Sequence, residues 1–147
     1  MFHGNLHPSN ILVNTVTGQS QLAGAGFSRL LATDKELFAS SDVVWGARGY
    51  RCARYERGSC SYSIPSDMFA FGIIAAELLT GILQGTPFKD KLASDLYYDV
   101  ILSGGKLTAD PLAGPITQLA MEALGSIIVA CCSPTPSKRP SAATVGK

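Results

Sequence analysis

Charged side chains are scarce in this sequence, and they do not cluster. The 12 lysines and arginines and the 11 aspartates and glutamates make up 16% of the chain, against about 25% in an average soluble protein. The formal net charge is +1. Because no basic run is present to follow a phosphate backbone, we expect no nucleic-acid partner. The hydrophobic fraction of 46% favours a folded domain over a disordered chain.

Cysteine spacings typical of zinc sites are also missing. None of the four cysteines belongs to a C-x-x-C pair, and an adjacent pair does not have the usual zinc-ligand spacing. The four are Cys52, Cys60, Cys131 and Cys132. A secreted disulfide framework is not expected at this length, so we predict reduced thiols in a cytoplasmic protein.

Long apolar runs are absent as well. A membrane-spanning helix needs about 18 uninterrupted apolar residues, and the run at 71–79 is much shorter and contains Glu77. The N-terminus lacks a charged region followed by an apolar one, so we expect no signal peptide. The sequence therefore predicts no membrane span.

The first third of the chain carries strand and loop signals. Apolar runs at 11–13 and 21–23 flank a polar segment that contains Thr17-Gly18, a pattern that predicts a β-hairpin. Residues 32–64 show no sustained period and are predicted to form a long loop.

Helical patterns dominate the rest. The strongest covers 66–80, between Pro65-Ser66 and Gly81, and because it is apolar on every face it is predicted to be a buried central helix. Further helices are predicted at about 91–102 and at 116–132, and Ser141 is expected to cap a fourth. The fold class is thus mainly α with a short β-hairpin.

Five segments carry recognisable motifs. Residues 3–10 read H-G-N-L-H-P-S-N and residues 22–29 read L-A-G-A-G-F-S-R. Residues 46–55 read G-A-R-G-Y-R-C-A-R-Y, and residues 66–81 begin S-D-M-F-A-F-G and end E-L-L-T-G. Residues 132–141 read C-S-P-T-P-S-K-R-P-S. In this order they resemble the catalytic loop, D-F-G turn, activation-segment end, central helix and R-P segment of eukaryotic protein kinases.

The resemblance implies a domain organisation. Residues 1–147 are expected to form a partial kinase-like domain, the C-terminal lobe, while the N-terminal lobe with its Gly-rich loop and lysine is expected to be absent. Within it we expect the catalytic loop at 3–10, the activation segment at 24–54, the central buried helix at 66–80 and a later helix at 116–132.

At the positions that do chemistry in this family, the sequence departs from the pattern. Asn5 replaces the Asp base, and an amide has no basic oxygen. His7 replaces the loop Lys. Asn10 keeps the identity of the second magnesium ligand, but Gly24 replaces the D-F-G aspartate that is the main ligand. Ala25 replaces the D-F-G phenylalanine, for which Phe27 is a candidate substitute.

Other positions keep the family pattern. The resemblance implies that His3 packs behind the catalytic loop as a structural imidazole and that Asp67 hydrogen-bonds the loop backbone. Arg139 matches an arginine that pairs with a glutamate in the family, but Arg54 replaces that glutamate, which predicts like charges unless Glu56 rescues the pair. Gly26 keeps the D-F-G glycine.

These departures predict a catalytically dead kinase-like chain, a pseudokinase, that acts as an interaction or scaffold module with a protein partner and no cofactor. The alternative is an ATP-dependent Ser/Thr protein kinase whose N-terminal lobe is missing from this chain. That alternative would require ATP and magnesium as cofactors.

Overall fold

A short hairpin opens the fold. The computed structural model describes residues 1–28, 46–52, 62–81 and 114–146. Strands β1 (Ile11–Val13) and β2 (Ser20–Leu22) pair antiparallel, with Leu12 opposite Gln21. The turn is stabilised by Asn14, whose Oδ1 accepts hydrogen bonds from the backbone N–H groups of the two residues at 16–17. This side-chain turn explains why the chain reverses here.

The hairpin confirms the sequence prediction, with one difference at its second strand. β2 begins and ends one residue earlier than the predicted 21–23. The N–H of Ala23 donates to the carbonyl of Asn10 at 2.8 Å, so Ala23 connects the hairpin to the preceding loop rather than extending the strand.

Helix α1 (Ile64–Thr80) is the central element and begins two residues before its predicted start. The earlier start has a local cause, because the N–H of Ser63 donates to Ser66 Oγ at 3.1 Å and closes the N-terminal turn. At the other end, Gly81 adopts φ 70° and its N–H donates to the carbonyl of Glu77 at 2.9 Å. The predicted glycine stop is therefore confirmed.

Two further helices follow. Helix α2 (Pro115–Cys131) lies within one residue of its predicted bounds. Helix α3 (Ala142–Val145) is short, and Ser141 Oγ accepts a hydrogen bond from the N–H of Thr144, which is the predicted cap. The predicted helix at 91–102 lies outside the described residues, as does most of the predicted loop at 32–64. The architecture confirms a mainly helical chain with a short β-hairpin.

The core lies where α1 packs along α2. Gly72 allows the close approach, because a Cβ atom there would lie 2.7 Å from Cys132 Sγ and 3.2 Å from the Ile128 carbonyl oxygen. Buried apolar side chains from α1, from the end of α2 and from residues 50–52 form two clusters. They include Tyr50, Cys52, Phe69, Ile73, Ile74, Ala76, Ile128 and Cys132.

The prediction that α1 is buried on every face is wrong for one stripe. Leu78 is 76% exposed and Phe71 is 38% exposed, and both lie on the same face because they are seven residues apart. The core contacts with α2 use the other faces of the helix. None of the helices that the structure describes combines the length and apolarity needed to cross a lipid bilayer.

Candidate functional site

Asp67 ties the segment at 3–10 to the beginning of α1. Its Oδ2 accepts a hydrogen bond from the N–H of His3, and its Oδ1 accepts one from the N–H of Gly4 at 3.1 Å. The hydroxyl of Tyr62 donates to the same Oδ1 at 2.9 Å. With three donors, the carboxylate stays hydrogen-bonded although it is half-buried. Asp67 therefore orients the loop backbone rather than a ligand.

His3 is engaged on both ring nitrogens. Nε2 lies 2.8 Å from the carbonyl oxygen of Ala23, which can only accept, so Nε2 carries the proton. Nδ1 then accepts from the N–H of Asn5 at 3.3 Å. These two hydrogen bonds join the loop to the end of the hairpin. Both ring nitrogens are thus occupied by backbone groups, and the structural role that the resemblance implies for His3 stays a prediction.

Asn5 lies in the same loop and is half-buried. Its backbone carbonyl accepts a hydrogen bond from Asn10 Nδ2 at 2.9 Å. The Asn5 side chain is a neutral amide, which has no lone pair basic enough to remove a proton from a hydroxyl group. The structure thus places Asn5 and Asn10 in direct contact, and neither supplies a general base.

His7 is the second histidine of this loop, and it is half-buried. Burial lowers its pKa below the usual value of 6.5, and the nearby His3 lowers it further. The ring lies 6.3 Å from the Tyr50 ring, centroid to centroid. With a lowered pKa the imidazole is mainly neutral at pH 7, so His7 does not replace the positive charge of a lysine.

Gly24 and Asn10 are brought together at the end of the hairpin. Gly24 adopts φ 74°, a left-handed conformation that favours glycine. An ideal Cβ atom on Gly24 would lie 2.5 Å from Asn10 Nδ2 and 2.6 Å from both Cγ and Oδ1. The amide of Asn10 therefore occupies the space into which a side chain at position 24 would project.

Magnesium does not fit this set of donors. The ion prefers octahedral oxygen coordination and is usually held by at least one carboxylate. Positions 5, 10 and 24 supply two amides and a glycine, and the nearby carboxylate of Asp67 already accepts hydrogen bonds from the loop backbone. Within the described ranges no three His, Cys, Asp or Glu side chains are grouped so as to bind a metal ion.

Residues Ala25–Phe27 form a single 3-10 turn directly after Gly24, and Ala25 and Gly26 are exposed. The side chain of Phe27 and all of Arg54 lie outside what the structure describes, and so does Glu56. The predicted repacking by Phe27 and the predicted like-charge contact at Arg54 therefore stay predictions.

Arg139 is buried and joins the C-terminal segment to α1. Its Nε donates to the carbonyl of Ser133 at 2.8 Å and its Nη1 to the carbonyl of Pro65 at 2.7 Å. The guanidinium also lies over the Phe69 ring, 5.1 Å from its centroid. The Ser133 carbonyl follows the C-terminal end of α2, where a cation is favourable, whereas the Pro65 carbonyl lies in the first turn of α1.

A comparison with models of known protein families identifies the family of this chain. The family model of the protein kinase domain matches residues 1–147, the whole chain. This chain belongs to the protein kinase family. The motif resemblance is thereby confirmed at the level of the family.

The similar kinases come from distant organisms. A leucine-rich repeat receptor-like serine/threonine-protein kinase of Arabidopsis thaliana is 28% identical over 100% of this chain and 16% of its own length. The lectin-domain containing receptor kinase VI.3 of the same plant is 30% identical over 99% of this chain and 21% of its own. Mitogen-activated protein kinase kinase 5 of Leishmania mexicana is 26% identical over 96% of this chain and 26% of its own length. This chain spans about a quarter or less of the length of each of these relatives.

Two tyrosine hydrogen bonds of this protein kinase-family chain were not predicted from its sequence. Tyr50 donates its hydroxyl proton to Glu77 Oε1 at 2.9 Å, and Tyr62 donates to Asp67. A signal for the first existed, because a glutamate within an apolar helix needs a donor when it is buried. The identity of that donor depended on tertiary structure.

Proposed function

We propose that this protein kinase-family chain is catalytically inactive and acts as a pseudokinase. One observation carries the proposal. The three positions that would hold a general base and a metal ion, Asn5, Asn10 and Gly24, lie together in the structure and contain no carboxylate. Phosphoryl transfer depends on positioning and on the charge of the metal ions, so a site without metal ligands loses its main means of catalysis.

The neighbouring histidines do not compensate. His3 uses Nε2 and Nδ1 in hydrogen bonds to backbone groups, so neither nitrogen is directed at a substrate. His7 has a lowered pKa and, being mainly neutral, does not stabilise the charge of a transferred phosphate. The scaffold contacts of Asp67 and Arg139 persist although the chemistry is lost.

A noncatalytic kinase-like domain acts through its surface, and we propose a protein partner. The hairpin supports this, since Val13 and Leu22 are each 60% exposed and lie on the same face of the paired strands. Contiguous exposed apolar side chains are typical of interaction surfaces. The three described cysteines are free thiols, which supports a cytoplasmic, reducing environment.

The second candidate is an ATP-dependent Ser/Thr protein kinase. The observation in its favour is that the similar proteins are named as serine/threonine-protein kinases or receptor kinases. It requires that another group take the place of the missing carboxylates.

The test is transfer of labelled phosphate from ATP to a generic basic peptide, with magnesium and separately with manganese. We expect no incorporation above background. The Asn5→Ala variant, purified in the same way, is the matched control. Activity that is equal in both preparations comes from a contaminating kinase. Activity in the unmodified chain that the variant loses would establish the kinase alternative and contradict our proposal.

A further inference from the structure

The segment that follows α2 carries two hydroxyl groups, each directly before a proline. Residues 132–141 read C-S-P-T-P-S-K-R-P-S and contain the steps Ser133-Pro134 and Thr135-Pro136. Thr135 is exposed, and its backbone is extended, with φ −93° and ψ 111°. Among the hydrogen bonds of the described residues, none involves the Thr135 hydroxyl. That hydroxyl is therefore accessible to an enzyme from solution.

Ser133, by contrast, is held by the fold. It is half-buried, and its Oγ accepts a hydrogen bond from the N–H of Thr135 at 3.3 Å. Its carbonyl accepts from Arg139 Nε at 2.8 Å, and its N–H donates to the carbonyl of Ala130 at 3.1 Å. An enzyme would have to break these contacts in order to bind Ser133 in an extended conformation. Of the two hydroxyl groups, Thr135 is thus the better acceptor.

The residues after Thr135 define the class of enzyme that would modify it. Pro136 has no backbone N–H and a fixed φ, so it suits a peptide-binding site that needs no donor at this position and accepts the ring. Lys138 places a positive charge three residues after the hydroxyl, and its N–H donates to the Thr135 carbonyl at 3.0 Å. Together with the bond from the Arg139 N–H to the Pro136 carbonyl, this bond holds the turn at Pro136–Lys138. A turn held by two backbone hydrogen bonds at the surface opens locally without unfolding the core.

We propose that Thr135 is a phosphorylation site for a proline-directed serine/threonine kinase that acts on the folded chain. In this step the hydroxyl gives its proton to the base of that enzyme, Oγ1 bonds to the γ-phosphorus of ATP, and the bond between the γ-phosphorus and the β-phosphate oxygen breaks, which releases ADP. The phosphate brings a charge of about −1.5 to −2 at pH 7 into the turn that contains Lys138. The site needs no catalysis by this chain, so it does not depend on the proposed function.

The experiment treats the purified chain with an active proline-directed kinase, magnesium and ATP, then with iodoacetamide before any denaturant, and maps the tryptic peptides. No lysine or arginine lies between Lys106 and Lys138, so one peptide carries Thr135, Cys131 and Cys132. Because both cysteines are buried, their alkylation reports whether the same molecule was unfolded. We expect phosphate on Thr135 in peptides whose cysteines iodoacetamide has not modified.

Two variants test the class of enzyme. Pro136→Ala keeps the hydroxyl and the lysine but removes the ring, and we expect it to slow phosphorylation of Thr135 by about tenfold or more, since apolar contacts of this size change kcat/KM by such factors. Lys138→Ala removes the charge and should also slow the reaction. Thr135 that is phosphorylated equally fast in the unmodified chain and in both variants would refute the assignment to a proline-directed kinase.

The position of the phosphate decides the rest. Thr86-Pro87 is followed by Lys89 at the same spacing but lies outside the described residues, and its tryptic peptide is a different one. An unphosphorylated chain, or phosphate on Thr86 or Ser133 without phosphate on Thr135, would refute the proposal. Phosphate on Thr135 that is found only together with alkylated cysteines would refute it too, because the modification would then require unfolding.

Discussion

Tyr50 and Glu77 form a buried hydrogen bond between the segment at 46–52 and helix α1, with 2.9 Å between the phenol oxygen and Oε1. Tyr50 is 7% exposed and Glu77 is 3% exposed. We expect Tyr50→Phe to lower the free energy of unfolding by about 1–3 kcal/mol, because the buried carboxylate loses a donor while the ring packing is kept. Urea unfolding measures this difference, and an unchanged midpoint would contradict it.

The same contact predicts a loss of stability at high pH. Burial raises the pKa of Tyr50, and the hydrogen bond to Glu77 and its charge raise it further. Above about pH 10 the unfolded chain releases the phenol proton while the folded chain retains it, so stability falls as pH rises. Tyr50→Phe is the control, and it should show a smaller loss between pH 9 and pH 11 than the unmodified chain.

Around His7, the stability of the fold is expected to rise with pH in the mildly acidic range, opposite to the effect of Tyr50 at high pH. Burial and, to a lesser extent, His3 lower the pKa of His7 below its usual 6.5. As pH falls below about 6.5, the unfolded chain binds the proton first, so the folded state loses stability. We expect Tm to fall between pH 7 and pH 5 and His7→Gln to reduce that fall. An identical pH profile for His7→Gln would show that other groups cause it.

Helix packing at Gly72 predicts a strong effect of one methyl group. Gly72→Ala would place a Cβ atom 2.7 Å from Cys132 Sγ and 2.8 Å from Cys131 Cβ, so the two helices must separate. We expect a loss of about 1–3 kcal/mol or more. The control is Gly125→Ala on α2, whose Cβ atom would be 3.7 Å from Met121 Sδ and which should gain about 0.5–1 kcal/mol of helix stability. Equal effects of the two changes would contradict the packing account.

Much of this fold could be predicted because its signals are local. Thr17 and Gly18 predicted the hairpin turn, and Gly81 predicted the end of α1. The start of α1 was misplaced since Ser63, three residues before Ser66, closes the turn. The contacts between distant residues could not be predicted in the same way, because each depends on segments far apart in the sequence.

In the candidate site, too, residue identities could be predicted from the sequence, and contacts between distant residues could not. The identities at positions 5 and 24 predicted the missing carboxylates from the family resemblance alone. The overlap between Asn10 and a side chain at position 24 could not be predicted, since it depends on how the hairpin returns Gly24 to within contact distance of Asn10.

The adjacent cysteines at the end of α2 predict slow thiol chemistry. Burial raises the pKa of Cys132 to about 12, with a further contribution from Cys131, and burial also raises the pKa of Cys131. Both side chains are fully buried, so we expect iodoacetamide to leave them unmodified in the native chain. Peptide mapping by mass spectrometry should find both alkylated after unfolding in urea. Alkylation of either in the native chain at the rate of a small free thiol would contradict this burial.

The central claim is that Asn5, Asn10 and Gly24 form no magnesium-dependent nucleotide site. The most direct measurement is the melting temperature of the chain during an ATP titration, with magnesium and with EDTA. A ligand at a hundredfold excess over its Kd stabilises a protein by about 2.7 kcal/mol, which such a titration readily detects. We predict the same Tm at every ATP concentration in both conditions. A Tm that rises with ATP only when magnesium is present would contradict the account.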